Sequence, residues 1–98
     1  MIASGRPEAA GRMQRALVAF QRAQGMVLAT HRKLKGLPTE EVDRFWVAQG
    51  KQIERHVQAA AVEVTAAFMA FSTAGLVATA ADRHLVNEAR RIVAEGAI

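Results

Sequence analysis

The segment Lys33–Val42, "KLKGLPTEEV", carries the sharpest boundary in this 98-residue chain. Arg32, Lys33 and Lys35 gather where a helix would end, the favourable place for cations against the negative end of a helix dipole. Gly36 suits the left-handed residue that follows a helix, and "GLP" makes the turn. Thr39 reads as the N-cap of the next helix, with Glu40 and Glu41 in its first turn. One helix therefore arrives at this segment and another leaves it.

Upstream, Pro7 suits a first helical turn and Glu8 faces its positive end, so helix 1 is expected over 7–35 behind a flexible tail of residues 1–6. Met13, Leu17, Phe20, Gln24, Val27, His31 and Leu34 recur at spacings of four and three and form its seam. Downstream, Val42, Trp46, Ile53, Val57, Val64, Phe68 and Phe71 form one stripe, with Arg44, Lys51 and Arg55 behind it. Two amphipathic helices joined by a short turn are an antiparallel hairpin.

Helix 2 is expected over 39–71. Beyond Val57 its back turns apolar: Val62 and Met69 stand where charges stood, so this half calls for cover on more than one side. Ser72, Thr73 and Gly75 weaken the helix, which either continues toward Glu95 or breaks. A break is the reading taken, with a third helix over 76–95 whose apolar face is Leu85, Ala89, Ile92 and Val93. The fold class is all-α: a hairpin plus a C-terminal helix, in one domain, assembled into an oligomeric bundle.

The uncharged run Val64–Ala81 is short of the roughly 20 strongly apolar residues that a membrane span needs, and its Ala, Ser and Thr content gives little transfer energy. No transmembrane span is expected. The opening "MIASGRPEAAGR" has no apolar core of a signal peptide, which makes the cytoplasm the expected location. Ala66, Ala70, Ala74 and Ala78 recur every four residues and would let another helix come close. Val62, Phe68, Met69, Ala70, Phe71, Ala74, Leu76 and Ala78 are thus the expected contacts to a second copy or to an apolar surface.

The net charge is +4, unevenly spread. Up to Lys35 the bases face the single acid Glu8, whereas from Thr39 onward acids outnumber bases. Attraction between the two segments is the simplest reading. Arg15, Arg22 and Lys33 share the back of helix 1, a possible anion-binding face, though it lacks interleaved aromatics and helix-turn-helix spacing. A nucleic-acid or acidic-partner module is accordingly the alternative function, ranked second.

His31, His56 and Glu63 are the candidates for a metal-binding bundle, ranked third, because the clustered carboxylates and Glu-x-x-His pairs of such sites are missing. Gln49, His56 and Glu63 read more simply as a polar ridge that fixes register. The chain holds no cysteine, no phosphate loop after a strand and no nucleophile elbow. No enzyme activity and no cofactor are expected.

The segments "AFQRAQGMVLATHRKLKG", "KQIERHVQAAAVEVTAAFMAF" and "VNEARRIVAEG" together resemble the phasin-type helical proteins that coat polyhydroxyalkanoate storage granules in bacteria. The resemblance is one of Ala- and Gln-rich style over most of the chain, and the Ser72–Gly75 interruption and short C-terminus depart from it. It implies a non-catalytic protein that self-associates and binds a hydrophobic granule or protein surface. The family defines no functional residue by motif, so none is carried over.

Overall fold

The structure of the chain, a computed structural model, describes residues 5–96. Among them are three α-helices: α1 (Gly5–Leu34), α2 (Thr39–Thr73) and α3 (Ala80–Gly96). α1 and α2 form the antiparallel hairpin, and α3 folds back along α2. The predicted boundaries differ from these by a few residues, and each difference has a local cause.

Gly5 and Arg6, expected in the tail, belong to α1; residues 1–4 lie outside the described residues. The Arg6 Nε donates to the Ala74 carbonyl at 3.0 Å, and so ties the start of α1 to the end of α2. Thr39 does not cap α2. Pro38 holds that position with no side-chain bond, and its carbonyl accepts from the Glu41 and Val42 N–H groups at 3.0 and 3.2 Å. Gly36 takes φ +91°, the left-handed conformation expected of it.

The second boundary is sharper than "STAG" suggests. Gly75 takes φ +81°, its N–H donates to the Ser72 carbonyl at 2.9 Å, and the Leu76 N–H donates to the Phe71 carbonyl at 3.2 Å. That pair of bonds is a Schellman motif, which satisfies carbonyls at the end of α2. Helix 2 breaks here. Leu76–Thr79 is non-helical, so α3 begins later than the predicted residue 76. Thr79 sets its start: the Oγ1 accepts from the Asp82 N–H at 3.1 Å.

The core is built by Met13, Ala16, Leu17 and Phe20 from α1, Ala61, Val64 and Ala67 from α2, and Val86 and Ala89 from α3. Alanines at four of these nine positions bring the helices close. The row Ala66, Ala70 and Ala74 is only half-buried, because it lies round the helix from the Val64 face. Ala78 is buried, but in the linker rather than on α2.

This core fills one end of the molecule. α1 buries nothing fully beyond Ala23, and α2 nothing before Ala61. The cause is length: α3 spans 17 residues against 35 in α2. At 1.5 Å per residue α3 covers about 25 Å of a helix about 52 Å long. Three helices enclose one half of the hairpin, and the other half stands as two. Among the described residues no helix is long and apolar enough to cross a membrane.

Candidate functional site

The end of α3 defines the main concave feature. Gly96 lies against the Gln58 side chain, close enough that a Cβ there would collide with it. Beyond that point a groove of about 610 Å³ runs between the hairpin helices. Its floor is Val27 and His31 from α1 with Trp46, Gly50, Ile53 and Val57 from α2, and Ile92, Glu95 and Gly96 close one end. A neighbouring hollow shares Val27, Val57 and Ile92 and adds Gln24 and Leu28. Together they prolong the track along which α3 lies.

The floor follows from helical spacing. Trp46, Ile53 and Val57 sit on the same stripe as core residue Val64, and Val27 and His31 on the same seam as Phe20. The stripe that is buried under α3 at one end is therefore only half-buried at the other. Trp46 is half-buried; its indole lies 5.1 Å from the His31 ring and 5.3 Å from the edge-on Phe45 ring. Gly50, one turn on, keeps the space beside the indole open.

The opposite side of the hairpin carries a smaller hollow lined by Met26, Thr30, Gln49, Gln52 and His56. The expected polar ridge ends elsewhere, since Glu63 is held by Arg12 through bonds of 2.8 and 3.0 Å. That pairing pulls the Glu63 carboxyl below its ordinary value, chiefly by the hydrogen bond itself, and raises the Arg12 guanidinium. Burial of Glu63 opposes its shift, and the Arg12 and Arg15 charges add to it. With His31 against Trp46, Glu63 against Arg12 and His56 in the smaller hollow, the three candidate ligands stand in different surroundings. Among the described residues no three His, Cys, Asp or Glu side chains come together as a metal-holding group.

The expected apolar contacts divide in two. Phe68 and Phe71 pack half-buried against the core with ring centroids 6.4 Å apart, and the Arg90 guanidinium covers Phe68 at 5.2 Å. Ala78 is buried, while Ala70, Ala74 and Leu76 are half-buried. Val62 and Met69 face solvent, 47% and 69% exposed, because α1 and α3 both pack on the other side of α2. Val77, beside Leu76, is 86% exposed. Arg15, Arg22 and Lys33 are exposed on the back of α1, as their spacing requires.

Leu28 and Gly50 belong to no contact set expected from the sequence, and Gln24 and Ile92 only to helix seams, although Gly50 and Ile92 line the groove and Gln24 and Leu28 the adjoining hollow. The signal that finds them is arithmetic: a third helix half as long as its neighbours leaves the stripe beyond its end bare. Chemically the arrangement can hold an apolar surface. No family model, curated protein or solved structure matches this chain.

Proposed function

We propose that the protein is a non-catalytic helical protein that acts by self-association and by laying an apolar helical surface on a hydrophobic partner, such as a storage-granule surface, in the cytoplasm. One observation carries this reading: the stripe that forms the core at one end continues to the other with Val27, Trp46, Ile53 and Val57 only half-buried. Apolar surface left in water costs about 25 cal/mol for each Å², so a partner that covers it is favoured. Val62, Met69 and Val77 add a second apolar area on the three-helix end. The phasin-type resemblance points the same way.

The test is adsorption of the full chain to apolar polymer particles, measured by co-sedimentation. Val62→Glu with Met69→Glu should weaken it while leaving the helix content unchanged, because both side chains already face water. Failure of the unaltered chain to adsorb would remove the granule part of the proposal.

A further inference from the structure

We infer that the groove beyond α3 receives the hairpin tip of a second copy of this chain, in an antiparallel two-fold pairing. The inference rests on the self-association reading above and specifies its surface. Each tip is two helices wide and lacks the third helix that covers the rest of its own hairpin. From Gln58 back to Thr39, α2 runs about 29 Å at 1.5 Å per residue. The groove and the tip are the same stretch of chain, so they match in length, and one two-fold axis fills both grooves at once. The four helices then enclose Val27, Trp46, Ile53 and Val57 from each copy, as facing helices enclose the core of a four-helix bundle.

Area supports a partner of this size. The chain exposes 7073 Å² of accessible surface. A compact monomer of its 10.6 kDa mass exposes about 5,500 Å², which leaves an excess of about 1,600 Å². A stable interface takes about 800 Å² from each partner, so the excess suffices for one. The molecule is 58 Å long and 25 by 19 Å across, and the excess follows from that extension.

Charge selects the direction. α3 ends with Glu95 facing the groove, held at 3.1 Å by Arg91 one turn back, and the last turn itself carries no basic residue against the negative end of its dipole. The turn of an antiparallel partner arrives at that place. From Arg32 to Glu41 that turn carries three bases, Arg32, Lys33 and Lys35, against two acids, Glu40 and Glu41. A parallel pairing would set the two basic turns side by side.

The experiment uses the full chain and two kinds of variant, with sedimentation mass and circular dichroism read for each. Leu28→Glu places a charge in the hollow that adjoins the groove, at an exposed position, and Met69→Glu does so on the far side of α2. A buried unpaired charge should weaken the dimer roughly 100-fold in Leu28→Glu, and Met69→Glu should leave it unchanged. In the Lys35→Cys/Glu95→Cys variant the two sulfurs of one chain are too far apart to bond, since a disulfide needs Cα atoms within about 7 Å. Oxidation should therefore give a closed covalent dimer. A ladder of larger species would overturn the two-fold pairing, and absence of any cross-link would overturn the contact. An oligomer that survives Leu28→Glu but not Met69→Glu would refute the groove while sparing self-association. A strict monomer would refute both.

Discussion

Gly75→Ala tests the break on which the three-helix fold depends, because the alternatives give opposite signs. Were α2 continuous through this position, alanine would replace a poor helix former and stabilise the chain by about 1 kcal/mol. In the Schellman motif Gly75 holds φ +81°, where a Cβ costs about 1–2 kcal/mol. The added carbon would also lie 3.2 Å from the Arg6 Nη2, pressing on the side chain that binds the Ala74 carbonyl. A net loss of about 1–2 kcal/mol lowers the melting temperature by roughly 5–15 °C in a domain of this size. Thermal unfolding followed at 222 nm, at one fixed protein concentration, reads it directly. Gly36→Ala serves as a control at φ +91°, where nothing lies within 4 Å of the added carbon and backbone strain acts alone. A higher melting temperature for Gly75→Ala would refute the break.

Three further outcomes follow from the packing and the charges. Phe20→Ala empties the centre of the three-helix end, where the ring is fully buried, and should cost about 3–5 kcal/mol in a denaturant titration. The Glu63 carboxyl is held below its ordinary value in the folded chain, so its contribution is present above the unfolded-state pKa and lost as pH falls through the folded one. Glu63→Gln should therefore flatten the acid limb of stability at and below about pH 4 and leave its neutral-to-alkaline shape unaltered. Arg15→Ala with Arg22→Ala should leave melting and assembly intact, with negligible nucleic-acid affinity at physiological salt; micromolar binding that falls steeply with salt would favour the basic-face function instead.

The helices and the first turn were legible because each is fixed locally, whereas the end of α2 stood between two readings, since Ser72, Thr73 and Gly75 suggest a weakened helix as readily as a break. Gly36 and Gly75 supply the left-handed residues that end α1 and α2, and stripes at helical spacing fix which faces turn inward. α3 begins later than expected because Thr79, and not Leu76, caps it, accepting from the Asp82 N–H. Thr39 misled because its residue type suits a cap, whereas the chain enters the helix one residue sooner. The site was less legible, since it depends on where elements stop relative to one another. Periodicity showed that Val62 and Met69 are apolar; only the placement of α1 and α3 on the opposite face of α2 shows them bare. Arg12 and Glu63 lie 51 residues apart, and no local pattern pairs them.

A chain that completes itself against another apolar surface, first of all its own copy, must change mass with concentration. Sedimentation mass of the full chain from low to high micromolar concentration measures that most directly. The expected mass is at least twice 10.6 kDa at the upper end, falling toward the single-chain value on dilution. A mass of one chain at every concentration would contradict it.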